Sequence, residues 1–329
     1  MEVREARSSW SGLHLPVHLC RMTDAFGLLQ FSRGREPDPS SGYTADDNAR
    51  ALVLAARLNE GEWARTYLGF LVRCQRPDGW FHNLWDGEQR RLPYWRSEDC
   101  QGRCLWALGE VVASSLPSDL REEAMRLLRR ALPTVHDLHS CRGRANALLG
   151  LVAAGATDAV RTVASALARQ LAETPPDWPW PEPVLTYELA RVPLGLLRAS
   201  DTDTTWRATA LRTLDFLLDV ILEDGVVVPV GNRGWYPRGG RKARWDQQPV
   251  DPGALVEACV EAYCQTGHDR YRDGAERAWG WFFGRNLLGA VLVDSDGACR
   301  DGLGPDGPNE NCGAEACLAY ALASLAVGS

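Results

Sequence analysis

The chain contains no Cys-x-x-Cys pair, although it has ten cysteines. Cys100 and Cys104, Cys259 and Cys264, and Cys312 and Cys317 fall inside apolar helical runs, where a thiol packs as a small hydrophobe. A zinc site would need a closer cluster of nitrogen and sulfur ligands, so neither a metal nor a cofactor is expected. This cysteine usage fits a reducing compartment, and the expected location is the cytoplasm. Histidine is scarce, at six. His136 and His139 are close in sequence, but no third ligand stands at metal spacing, so a loop or core role is expected. No apolar run approaches the ~18 residues that span a bilayer, which argues against a membrane partner. The stretch MEVREARSSW has acids where a secretory signal has an apolar core. Positive charge is also short. The net charge is −7, whereas a nucleic-acid partner would want a basic stripe. There is no βαβ pattern and no Gly-rich turn after a strand, so nothing suits a nucleotide-sugar donor.

What is present is helix. Apolar residues recur three and four positions apart almost throughout. The pattern predicts helices near 12–24, 44–59, 62–75, 98–113, 118–131, 143–154, 157–172, 185–199, 204–222, 250–266, 269–285 and 312–327. Strand-like stretches (Trp80 to His82, Val226 to Val230, Val291 to Val293) are short and fall in loops. The helices alternate between two kinds. One is rich in Ala, Gly, Leu and Cys; the other carries charge on one face. An all-apolar helix is buried and an amphipathic one lies outside. Residues 1–329 are therefore expected to form one all-α domain, an (α/α)6 toroid with an inner and an outer ring. A stack of helical hairpins would alternate in the same way; only closure separates the two. Inner-to-outer connections are short. Outer-to-inner ones (76–97, 132–143, 173–184, 223–249, 286–311) are long, and long ordered loops usually carry function. They should share one rim, at the N-terminal ends of the inner helices.

That rim collects chemistry. Its carboxylates include Asp46, Asp47, Glu98, Asp99, Glu182, Glu188, Asp246, Asp251, Asp301, Glu310 and Glu315. Seven of the thirteen tryptophans fall in its loops: Trp80, Trp85, Trp95, Trp178, Trp180, Trp235 and Trp245. Rings beside carboxylates and amides suit a sugar, whose apolar face stacks and whose hydroxyls take hydrogen bonds. Structural readings compete. Thr44 with Asp47 reads as a capping box, and acids in a first turn favour the helix dipole. One acid suffices for that; the other, with Asn48 and Arg50, is expected to face the centre. Ser97-Glu98-Asp99 is a second cap. Glu182, held between two prolines, has no capping explanation. Glu315 sits one turn inside an apolar helix, where an acid must be paired or used. Asp47-Asn-Ala-Arg50 recurs as Glu188-Leu-Ala-Arg191, and the Asp46/Arg50 spacing recurs as Asp99/Arg103.

The stretches SGYTADDNARAL, PDGWFHN, SEDCQGRCLWALG, WPWPEPVLTYELAR, WDQQPVDPGALVEAC and NENCGAEACLAYALA together resemble a bacterial family of six-hairpin-glycosidase-like proteins. Its members are often encoded beside glycosyltransferases or fused to them. The resemblance runs from Asp24 to Leu325. It implies the toroid and a carbohydrate context, with a glycosyltransferase as a possible partner. One departure stands out: Glu188-Leu189 occupies a place where the family would have Asp-Asn.

The function expected first is a glycoside hydrolase or related glycan-processing enzyme acting on an oligosaccharide. Such chemistry pairs a carboxylic acid with a second carboxylate. The expected pair is Asp47 with Glu182, with Glu98 and Glu310 in reserve. Asp46, Asn48, Arg50, Trp80, His82, Asn83, Asp99, Arg103, Trp180, Tyr187, Glu188, Trp245, Asp246, Gln247, Asn311 and Glu315 are expected to bind substrate. A non-catalytic glycan-binding subunit for a glycosyltransferase is the alternative. A terpene cyclase is disfavoured because Thr44 stands where an Asp-x-Asp-Asp run needs its first acid. A sugar epimerase would usually want paired histidines.

Overall fold

The computed structural model describes residues 15–328. Twelve helices follow one another: α1 (Val17–Arg21), α2 (Ala45–Leu58), α3 (Gly61–Cys74), α4 (Glu98–Ala113), α5 (Ser118–Ala131), α6 (Cys141–Ala153), α7 (Thr157–Ala172), α8 (Arg191–Ala199), α9 (Thr205–Ile221), α10 (Val250–Thr266), α11 (Asp269–Trp281) and α12 (Ala314–Val327). The even-numbered helices are buried nearly all round. In α5 and α7 burial is confined to one stripe, such as Leu120, Ala124, Leu127, Leu128 and Ala131. Each even helix packs on the next, and α12 returns to α2. The ring is closed, which excludes an open stack. Closure is reinforced by the Arg50–Glu315 ion pair and by the Ala314 amide donating to the Gln30 carbonyl at 3.0 Å.

Local signals set the ends. Thr44, Ser97 and Ser140 cap α2, α4 and α6 with their hydroxyls, each satisfying an amide that the first turn leaves orphaned. Asn59 and Gly267, both at positive φ, end α2 and α10. Two expectations shorten. The 12–24 helix is only Val17–Arg21 among the described residues. Pro16 precedes it, and Asp24 folds the chain back by accepting the Phe26 and Gly27 amides. The 185–199 helix begins at Arg191, because Val184–Leu185 is a strand and Glu188 has φ 50°.

The inner helices approach closely where both partners are glycine. A Cβ on Gly109 would lie 1.9 Å from the Gly150 carbonyl, and one on Gly150 would lie 2.0 Å from that of Leu105. Gly102 and Gly143 repeat the contact two turns nearer the rim. Gly150→Ala is therefore expected to cost about 1–3 kcal/mol through overpacking. Gly69→Ala on α3 meets only the end of Arg73 and should gain up to about 1 kcal/mol from helix propensity. Urea denaturation of the two variants checks the contrast; equal effects would deny that α4 and α6 touch through glycine.

The long loops are tied into a collar by short antiparallel pairs. Tyr43–Thr44 joins Leu84–Trp85, Val184–Leu185 joins Tyr236–Pro237, and Gln247 exchanges both backbone hydrogen bonds with Leu303. None of the ten cysteines is in a disulfide, and eight are buried, but Cys20 is half-buried and Cys264 exposed. Among the described residues no helix is long and apolar enough to cross a membrane.

Candidate active site

All six inner helices present their N-terminal turns to the collar. That convergence concentrates positive helix-end potential, which favours carboxylates. Four guanidinium groups organise them. Arg50, on α2 and only 2% exposed, places one nitrogen, Nη2, against three acids: Glu315 at 2.8 Å, Asp47 at 3.1 Å and Asp46 at 3.3 Å. Arg103 on α4 donates to both Asp46 oxygens at 2.7 and 2.8 Å and also to Glu188. Arg191 on α8 holds Glu188 at 3.2 Å and Glu257 at 2.9 Å. Arg142 on α6 grips Glu182 through two nitrogens at 3.0 and 2.9 Å. It also lies 3.6 Å from Asp99, which accepts from the Tyr187 hydroxyl at 2.5 Å and from the Ser140 hydroxyl at 3.2 Å. The Asp47/Arg50 pair and the Glu188/Arg191 pair are both three residues apart, so the weak sequence repeat is a repeated ion pair.

These acids do not titrate alike. Burial pushes Asp47 up, the Arg50 charge opposes this, and Asp46 and Glu315 push again; the result is about 6. Glu188 is fully buried, which alone would raise it, but Arg103, then Arg191 and Arg50, hold it at about 2. Asp251 opens α10 and is 4% exposed. Among the described residues no donor reaches either of its oxygens in good hydrogen-bond geometry, although the Glu188 and Leu189 amides lie on its side. Burial takes it well above the usual carboxylate range, and the charges of Glu188 and Glu315 add to this. Asn146 on α6 is wholly buried, with both amide atoms unpartnered among the described residues. Buried polar groups without partners are costly in a core and frequent at sites of use.

Beneath this layer the axis is filled. The buried Trp106 ring carries Arg191 on it at 4.7 Å and Arg57 at 5.4 Å. Its indole donates to Glu110 at 2.9 Å, and Arg57 bridges Glu110 and Glu257 at 2.5 and 3.4 Å. Sequence reasoning did not single out Glu257, Arg57 or Glu110. The available signal was charge on otherwise apolar helices.

Several expected contacts fall elsewhere. Asp47 and Glu182 share no partner: Thr44 and Arg50 hold the first, Arg142 and the Trp180 indole the second. Glu98 caps α6 by accepting the His139 and Ser140 amides. Glu310 is exposed in the last loop. Asn48 faces away from the centre and clamps the Leu28 backbone and the Thr44 carbonyl. Asn83 caps α2 by accepting the Asp46 amide. Gln247 is buried between the Arg244 carbonyl and the Trp281 indole, and Asn311 accepts the Gly34 amide. Trp180 is 1% exposed and cannot serve as an open platform. Trp80 is buried beneath the Arg96 guanidinium at 3.8 Å. Trp245 is half-buried beside Asp246, which Arg233 pairs at 2.9 Å. His82 bonds the Leu84 carbonyl and stacks on Tyr94, and His18 bonds the Cys312 carbonyl. Among the described histidines none joins the ring of ion pairs.

No family model and no curated protein matches the chain. Solved structures do. A sugar epimerase from a ruminal bacterium superposes with a TM-score of 0.72 at 13% identity, covering 100% of this chain and 98% of that one. A D-mannose isomerase gives 0.72 at 12%, covering 98% and 95%. A cellulase of C. cellulolyticum in complex with cellobiose gives 0.62 at 7%, covering 92% and 87%. At such identities the likeness establishes the fold: this chain is an (α/α)6 toroid, and the neighbours are carbohydrate-processing enzymes.

Proposed function

We propose that the chain is a carbohydrate-processing enzyme of the glycoside hydrolase type, working on the carboxylates gathered by Arg50. One observation carries this reading. Asp47 and Glu315 accept from the same nitrogen at 3.1 and 2.8 Å, so their contacting oxygens are no farther apart than those two lengths laid end to end. Retaining glycosidases set their carboxyl groups ~5–5.5 Å apart and inverting ones ~6.5–9.5 Å. The pair falls on the retaining side. Asp47 is the proton carrier, at about 6, close to the pH at which a general acid works best. Glu315, with its side chain 43% exposed, is the second carboxylate. Asp46 and Arg103 fix the pair from below. Glu182, with Arg142, Asp99 and Tyr187, binds substrate to one side.

A sugar isomerase or epimerase is the second reading, favoured by the epimerase and isomerase among the structural neighbours. Here Asp47 and Asp251 would move the proton beside the carbonyl, in place of histidines.

The test is a product screen on α- and β-linked gluco-, manno- and galacto-oligosaccharides, with and without phosphate, plus free reducing sugars in D2O. Cleavage with retained anomeric configuration is expected. Deuterium uptake at carbon 2 without cleavage would replace hydrolysis with isomerisation. Glycan binding with neither outcome would make the chain a presenting subunit, the role in which a glycosyltransferase partner would enter.

A further inference from the structure

A cavity of about 550 Å³ opens beside the ion-pair ring, between the α9–α10 and α11–α12 loops. Its size is that of a small-ligand site. The Gln247–Leu303 backbone pair forms one wall, and the Leu303–Gly304 and Gly307–Pro308 hairpin another. Gly302 permits this lacing, since a Cβ there would lie 2.8 Å from the Gln247 carbonyl. Asp246 is held at φ 58° with its carboxylate on Arg233. A non-glycine residue in that region is strained, and such strain clusters at functional sites. Asp301 forms the inner wall. Its Oδ1 accepts the amide of Gly313, the residue that caps α12, and its carboxyl, raised first by burial, also feels the charge of Glu315. The cavity therefore adjoins the catalytic pair proposed above.

The lining chooses its ligand. Asn232, Asn309, Asp246 and Asp301 offer hydrogen-bonding groups, and among the described residues no aromatic ring lines it. Hydroxyls are read here by hydrogen bonds, without stacking. The single guanidinium, Arg233, already serves Asp246, while neither Asp301 nor Asp306 has a cation at ion-pair distance among the described residues. An anionic sugar would meet surplus negative charge.

We propose that this cavity is a second saccharide subsite, which takes an uncharged sugar unit linked to the one held at the ring. The proposal rests on the carbohydrate reading, but it is tested by binding and not by turnover. Neutral gluco-, manno- and galacto-disaccharides, their monosaccharides and digalacturonate are titrated into the protein by calorimetry. At least one neutral disaccharide should bind about tenfold tighter than its monosaccharide, the worth of one to two hydrogen bonds. Digalacturonate should bind more weakly than the neutral disaccharides. In Gly304→Leu the disaccharide advantage should vanish. Gly304 has no positive φ, and a Cβ there would point at Asp246 Oδ1, 3.5 Å away, so leucine fills the cavity without backbone strain. Asn309→Ala, an exposed loop change, should halve the advantage or better, and it keeps the test open if the leucine variant does not fold. A disaccharide advantage that survives both variants, no binding by any neutral disaccharide, or tighter binding of digalacturonate overturns the subsite. Absence of turnover in the product screen, with the disaccharide preference intact, removes the hydrolase and leaves the subsite.

Discussion

Arg103→Met should lower stability by about 3–5 kcal/mol, the loss expected when a buried ion pair keeps one partner. The guanidinium is 3% exposed and neutralises Asp46 and Glu188 from one position between α2 and α8. Without it Glu188 keeps, among the described residues, only Arg191 as a direct ion-pair partner, and its carboxyl should climb from about 2. A depressed carboxylate stabilises the fold above its unfolded value and loses that contribution as pH falls through the folded one. The variant should therefore lose the advantage that the parent has near neutral pH, and the two melting curves should converge in acid. Adding Glu188→Gln should recover part of the loss, since the stranded charge is then gone. A double variant no better than the single one would show that Arg103 acts through packing and not through charge.

Asp47→Asn should abolish turnover of whatever substrate the screen finds, by about 10²–10⁴, the usual worth of a positioned proton carrier. Stability should move the other way. Asp47 is raised from 3.8 to about 6 in the fold, so its favourable contribution is complete below 3.8 and is lost as pH rises through 6. At pH 8 the buried charge costs the protein, and asparagine should relieve about 1–3 kcal/mol of that. Near pH 4 the gain should disappear. Arg50 still keeps Asp46 and Glu315, so the amide strands no cation. A variant that is both active and no more stable at pH 8 would move the acid elsewhere, with Asp251 next in line.

Much of the fold was legible in the chain because burial imposes a periodicity. Ala-rich and charged helices alternate, and the positions of the long loops identified the rim. Closure was not legible: the contacts that join α12 to α2 connect residues 50 and 315, and no local pattern records them. Among site residues, Asp46, Asp47, Arg50, Arg103 and Glu315 meet in one network because helix spacing places them on inward faces, and Glu188 joins it from the loop before α8. Asn48 misled because one step along a helix turns a side chain by about 100°, away from the axis. Trp80 and Trp180 misled for another reason. A loop tryptophan has the same sequence signature whether it stacks on a sugar or fills the underside of a collar. The periodicity puts Glu188 inside a helix, and the Val184–Leu185 strand together with its own positive φ takes it out.

The plug of Trp106 between Arg57 and Arg191 imposes a traffic rule. With the axis filled below the ion pairs, the toroid is a cup with one mouth. A long polymer cannot thread through it. On the hydrolase reading proposed above, a glycan chain would have to enter by an end or lie across the collar, and its product would leave past the next substrate, through the same door.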